Sequence, residues 1–148
     1  MAEYTDVALN TDAGYYDISF TDGDLTKLQG FDTAIFISVF TDARASATQI
    51  EKPELRRGWI GNLGNAIEIG SLNWLYEQAR LINKTANGLA DTTRTCLKWL
   101  VDFEYATSVT VTPIRSGANT LDADIRIEHL DGSVESKRVS LWGYTPNG

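Results

Sequence analysis

Residues 121–128 read LDADIRIE, and this stretch decides the fold. Leu121, Ala123, Ile125 and Ile127 alternate strictly with Asp122, Asp124, Arg126 and Glu128. A period of two with one apolar face predicts a half-buried antiparallel strand. Asp131-Gly132 turns the chain, and residues 134–141 (VESKRVSL) return with Val139 and Leu141 on odd positions. A two-residue Asp-Gly turn would set Ile125 against Arg138 and Val139 against Asp124, putting the apolar sets on opposite faces. A three-residue loop at 130–132, with Gly132 left-handed in a G1 bulge, opposes Ala123 to Val139 and Leu121 to Leu141, although Ile125 still meets Lys137. The bulged hairpin is therefore expected. Upstream, Val109 and Val111 alternate with Ser108, Thr110 and Thr112, until Pro113 ends the run or marks a sheet edge.

Before this meander the period is helical. Leu89, Thr93, Cys96/Leu97, Leu100 and Phe103 recur at steps of three and four, predicting a helix over 86–103 that Thr85 caps. Ser71 reads as the N-cap of a helix over 72–81. FDTAIFISVF at 31–40, continued by Asp42-Ala43-Arg44-Ala45, predicts a third helix over roughly 31–45, apolar nearly all round. YYDISF at 15–20 reads as a short strand, followed by the turn TDGD at 21–24. Residues 46–65 are irregular, broken by Pro53 and glycines, yet carry Trp59 and Ile60. The fold class is α+β: a short N-terminal strand, two to three helices, then a C-terminal antiparallel β-meander packed on them. One domain spans 1–148, with a loosely ordered leader at 1–14 and a tail at 143–148.

The 148 residues hold 13 Lys+Arg against 20 Asp+Glu, a formal charge of -7. That balance opposes duplex nucleic acid and an anionic membrane as partners. Residues 1–10 lack the basic and apolar regions of a secretory signal, and the apolar run at 34–40 is far short of the roughly 20 residues of a membrane span. A reducing cytosol, or assembly there, is the expected setting. One Cys and one His leave no zinc cage of the common kinds, no disulfide framework and no cofactor site. His129 reads as a rim residue beside the turn, and Cys96 as a buried inert thiol on the helix stripe. Asp122, Asp124 and Glu128 line a wet strand face, and Asp22 and Asp24 serve a turn. Glu51, Glu54 and Glu68 lie in or beside the irregular stretch, but no spacing selects a glycosidase pair. Arg56-Arg57-Gly58-Trp59 stands out, because Arg and Trp are enriched at the energetic centres of protein interfaces. The opposing reading has Trp59 pinning the loop to its own domain. Trp142 and Tyr144 carry the same two readings.

Several pieces in order resemble one family. They are DGDL at 22–25, FDTAIFISVFTDARA at 31–45, RRGWIGN at 56–62, GSLNWLYEQAR at 70–80 and LKWLVD at 97–102. This set resembles the Mu-like phage baseplate proteins, related to the gene-25-like wedge proteins of contractile tails. The resemblance implies a non-enzymatic α+β subunit of the virion tail baseplate, assembled in the host cytoplasm. It would be a wedge or sheath-initiator component in six copies, and a monomer until assembly. Its implied partners are other wedge subunits, the tail sheath protein and the central hub or spike. The family's Glu-Pro-Arg motif corresponds here to Glu104-Tyr105-Ala106, so only Glu104 matches. Contractile-sheath subunits are linked by strand addition, and a free sheet edge can accept a strand. Candidate edges are 108–112 and 134–141, and Glu135, Lys137 and Arg138 on the latter fit either a guarded edge or one reserved for a specific partner. The expected interface residues are Arg56, Arg57, Trp59, Glu104, Val134, Val139 and Leu141. Two other readings remain open here, a lysozyme-like peptidoglycan-degrading enzyme and a generic adaptor.

Overall fold

A computed structural model of the protein describes residues 5–10, 17–25, 27–77 and 79–142. Six short strands open the chain: β1 (Thr5–Val7), β2 (Leu9–Asn10), β3 (Asp17–Ile18), β4 (Phe20–Thr21), β5 (Asp24–Leu25) and β6 (Lys27–Gln29). They pair as antiparallel ribbons, β1 with β6, β2 with β3 and β4 with β5. The expected single strand at 15–20 is thus split between two ribbons, and Tyr15 and Tyr16 lie outside the described residues. Residues 5–10, within the expected leader, take part in this pairing, and Ala8 is buried. Asp22 (φ 52°) and Gly23 (φ 81°) both adopt positive φ, the signature of a type I′ hairpin turn.

Helix α1 (Asp32–Phe40) is shorter than the expected 31–45. The chain leaves the helix at Thr41 because 41–43 bond to Ser71 instead. Ser71 N–H donates to Thr41 O at 2.8 Å and Ala43 N–H to Ser71 O at 2.9 Å. The Ser71 hydroxyl donates to Val39 O at 2.7 Å, satisfying a carbonyl at the helix end. Gly70 (φ 128°) permits this approach, since a Cβ there would stand 2.8 Å from Ala43 N. The Ser71 hydroxyl oxygen also accepts the Asn73 N–H at 3.4 Å, yet no α-helix follows over 72–81. A single 3-10 turn, Asn73–Tyr76, forms instead. Its side chains reach across the molecule: Asn73 Nδ2 donates to Thr93 Oγ1 at 3.2 Å, and Trp74 Nε1 donates to Ala43 O at 2.8 Å.

The helix expected over 86–103 begins earlier and is broken. It forms α2 (Asn83–Cys96) and α3 (Trp99–Asp102). Thr85 is therefore inside α2, where its hydroxyl donates to Arg80 O at 2.7 Å rather than capping.

The three predicted strands form one antiparallel sheet: β7 (Ala106–Gly117), β8 (Thr120–His129) and β9 (Val134–Trp142), with β8 central. The hairpin has the expected three-residue loop. His129 N–H donates to Ser133 O at 2.8 Å, and Gly132 has φ 86°. Ala123 opposes Val139 and Ile125 opposes Lys137, as the bulged register requires. A shift between Leu121 and Asp122 pairs Leu121 with Trp142 instead of Leu141. β7 runs straight through Pro113, so that proline marks an edge and does not end the strand.

Leu121, Ala123, Ile125 and Ile127 have no exposed surface, and α1, α2 and α3 cover them. Phe31, Ile35, Leu97, Leu100 and Val111 complete the main core. The inward charges of β9 belong to this packing. Glu135 accepts the Phe31 N–H at 3.1 Å, and Lys137 Nζ lies 3.2 Å from Asp32 Oδ2. No helix among the described residues is long and apolar enough to cross a membrane.

Candidate interaction surfaces

The Arg56–Trp59 loop is tied to the rest of the domain, and its arginines are engaged within it. Ala45 N–H donates to Arg56 O at 3.0 Å, and Arg56 Nε donates back to Ala45 O. Arg57, in the left-handed region at φ 51°, reaches Asp42 at 3.1 Å and Glu77 at 2.8 Å. Its guanidinium also lies 4.7 Å from the centroid of Trp74. Hydrogen bonding to Glu77 raises the Arg57 pKa above its ordinary value, and Arg57 in turn holds the Glu77 carboxyl below the usual carboxylate range. Both ion pairs are largely exposed, so each contributes only about 0.2–1 kcal/mol. Their effect is geometric, because three groups fix one loop residue. Trp59 is half exposed, with its ring laid over Gly61. The most exposed neighbours are residues that the sequence reading did not single out as partners: Ile60 at 80%, Leu63 at 77% and Leu55 at 60%.

The two sheet edges differ. In the β8–β9 ladder the His129 N–H donates to Ser133 O, so by antiparallel alternation Glu135, Lys137 and Val139 direct their backbone groups at β8. Val134, Ser136, Arg138 and Ser140 therefore turn N–H and C=O outward, and among the described residues no strand but β8 pairs with β9. Val139 is buried in the core and Leu141 packs on both apolar clusters. Of the three expected interface residues on this strand, Val134 alone is exposed. On β7 the outward positions are Val109, Val111, Pro113 and Arg115. Arg94 from α2 donates to Val111 O at 3.1 Å, and Pro113 has no N–H. The β7 ladder is thus interrupted at two successive positions.

Glu104 sits just past α3 with φ 61° and an exposed side chain. Tyr105 N–H donates to Leu100 O at 2.9 Å and Glu104 N–H to Val101 O at 3.1 Å, the bonds of a Schellman cap. A glutamate here occupies a position that glycine fills at lower conformational cost.

His129 stacks on Phe31 with centroids 5.1 Å apart, and its Nε2 is 3.0 Å from Glu135 Oε2. It belongs to the helix anchor. Cys96 is buried, and burial pushes its thiol up to about 12. It lines one side of a groove of about 480 Å³ between 68–72 and α2, rimmed by Arg44, Gln49 and Glu68. The thiol is expected to resist maleimide in native protein at pH 8 and to react on unfolding, which a mass-spectrometric time course checks. The unfolded thiol ionises from about pH 9 while the folded thiol stays protonated. The unfolded state therefore binds fewer protons, and this contribution is complete below pH 9 and lost as pH rises through 12. No group of three or more His, Cys, Asp or Glu among the described residues could hold a metal ion.

The family model for the phage protein GP46 matches residues 31–134, from the residue before α1 to the first residue of β9. The chain belongs to the GP46 family of phage proteins. It is 29% identical over 134 residues to the Mu-like prophage FluMu protein gp46 of Haemophilus influenzae, covering 90% of this chain and 93% of that one. It is 29% identical over 132 residues to the baseplate protein gp46 of Escherichia phage Mu, covering 88% and 91%. The resemblance to Mu-like baseplate proteins drawn from the ordered motifs is thereby borne out. The GP46 match includes the whole pinned loop and both α2 and β8, the elements that set the two edges apart.

Proposed function

We propose that this chain is a structural subunit of a phage contractile-tail baseplate, and that it works by protein contacts without catalysis. Its place is the virion tail, assembled in the host cytoplasm. The finer reading is a wedge or sheath-initiator component, present in six copies, that receives a strand from a neighbouring subunit on β9. Wedge proteins, the sheath protein and the central hub are its partners in this reading. GP46 membership and the Mu relative named as a baseplate protein support the baseplate role. The observation that carries the strand-acceptor reading is the contrast between edges. β9 offers four successive outward backbone positions, while β7 has one acceptor taken by Arg94 and one donor removed by Pro113.

Ser136→Pro tests it. The Ser136 N–H faces away from β8, so the substitution spares the β8–β9 ladder, as Pro113 spares β7. Stability measured by urea unfolding should change by no more than about 1 kcal/mol. In a strain deleted for the gene and supplied with this variant, negative-stain microscopy should show no normally sheathed tails. Normal sheaths would overturn the β9 reading, and normal sheaths in the uncomplemented deletion would overturn the baseplate role itself.

A further inference from the structure

We infer that Trp59, Ile60 and Leu63 form a preformed apolar docking surface for a different baseplate subunit, with Arg57 as the residue that positions it. The inference rests on the baseplate reading for the presence of such a partner. Leu55, Trp59, Ile60 and Leu63 are 60%, 47%, 80% and 77% exposed within nine residues of chain. A loose loop could fold such side chains inward, but this loop is tied along its length. The Asn62 side chain donates to Ile69 O at 2.7 Å and accepts the Ile69 N–H at 2.8 Å. Asn65 Nδ2 donates to Gly61 O, and Leu63 N–H donates to Ile60 O at 3.1 Å. Together with the Arg57 clamp, these bonds hold the 3-10 turn Ile60–Asn62. Residues three apart eclipse on such a turn, so Ile60 and Leu63 share a side. Trp59 lies against Gly61, where any Cβ would displace its ring. The surface is ordered before binding, so little conformational entropy is lost when a partner covers it.

The chemistry and size of the surface select the partner. Exposed Glu51, Lys52, Glu54 and Glu68 flank the segment along the chain, and exposed Arg44 lies beside Gly58, so the apolar side chains have polar neighbours of both signs. Together with a net charge of -7, these neighbours suit a protein and not an anionic lipid surface. The exposed apolar area is on the order of 500 Å², short of the roughly 800 Å² per partner of a stable interface. A second copy of the chain would not be held by this patch alone. A different subunit that also engages the chain elsewhere would be.

The test uses the full chain with Ile60→Asp and Leu63→Asp combined, and the uncharged pair Ile60→Gln and Leu63→Gln as a second variant. Both pairs replace exposed side chains, so thermal melting should match the wild type. Sedimentation velocity should show a wild-type monomer at high micromolar concentration. In the deletion strain, each variant should restore at least about tenfold fewer sheathed tails than wild type, as for loss of an interface hot spot. Arg57→Ala should reduce tails in the same direction, and the effect should not add to that of the aspartate pair. Full restoration by both pairs would overturn the docking surface while leaving the β9 reading standing. Wild-type self-association abolished by the aspartate pair would assign the surface to a second copy and overturn the choice of partner. Normal tails without any complement would overturn the baseplate reading and this inference together.

Discussion

Phe31→Ala is expected to lower folding stability by about 3–5 kcal/mol, the range for truncating a fully buried aromatic. Phe31 has no exposed surface and stands where three elements meet. Its ring packs in the main core and stacks on His129 at the end of β8. Its carbonyl accepts the Ile35 N–H at 2.8 Å, closing the first turn of α1, while its own N–H is bonded by Glu135 from β9. Removing the ring empties the space between helix and hairpin, and the main chain on both sides is already held, so the site cannot collapse to fill it. For a domain of this length the midpoint of thermal unfolding should fall by on the order of 10 °C. Urea unfolding should show a lower midpoint at unchanged slope. A loss below about 1 kcal/mol would mean that α1 does not depend on this contact.

Glu135→Ala is expected to cost about 2–3 kcal/mol, a large effect for an edge-strand residue. The carboxylate accepts the Phe31 N–H at the start of α1, where the helix dipole favours negative charge, and lies 3.0 Å from His129 Nε2. Its side chain is only 22% exposed, so water does not fully replace it. Glu135→Gln retains an acceptor for Phe31 and should lose about half as much. Because Glu135 and Phe31 touch, the double variant should lose less than the two single losses together, which a double-mutant cycle measures. Additive losses would mean that the carboxylate does not act through α1.

These two residues show why the β9 charges were read incompletely. Glu135 and Lys137 look like edge guards, because alternation puts them on the inner face opposite Ile127 and Ile125, where an apolar side chain is expected. The apparent mismatch disappears once α1 is in place, since its Phe31 N–H and Asp32 carboxylate supply their partners. Nothing in the spacing of residues more than a hundred positions apart signals that pairing. The arginine pair behaves in the same way. Arg56 and Arg57 read as contacts for a partner, but Asp42, Glu77 and Trp74 engage Arg57 on the surface of its own domain. The side chains left outside are Ile60 and Leu63, which a sequence reading assigns by default to a core. A mild signal was present: they stand three apart across Gly61 in a stretch with no helical or strand period.

Local periodicity alone determined the three-stranded meander, its bulged hairpin and the apolar face of β8. Strand alternation and turn chemistry act between near neighbours, and a one-residue slip would turn the apolar side chains of a strand to the wrong face. The order of the motifs likewise sufficed to mark the family. Helix ends were not decided locally. α1 stops at Phe40 because Ser71, thirty-one residues further on, bonds to Val39 and to the backbone of Thr41 and Ala43. The proposed interaction surfaces depend on the same level of structure. Whether an arginine faces a partner or its own domain, and whether an edge is open or closed, depends on which distant group the fold brings within hydrogen-bonding distance. Arg94 closes β7 from another element, and nothing comparable reaches the outward groups of β9 among the described residues.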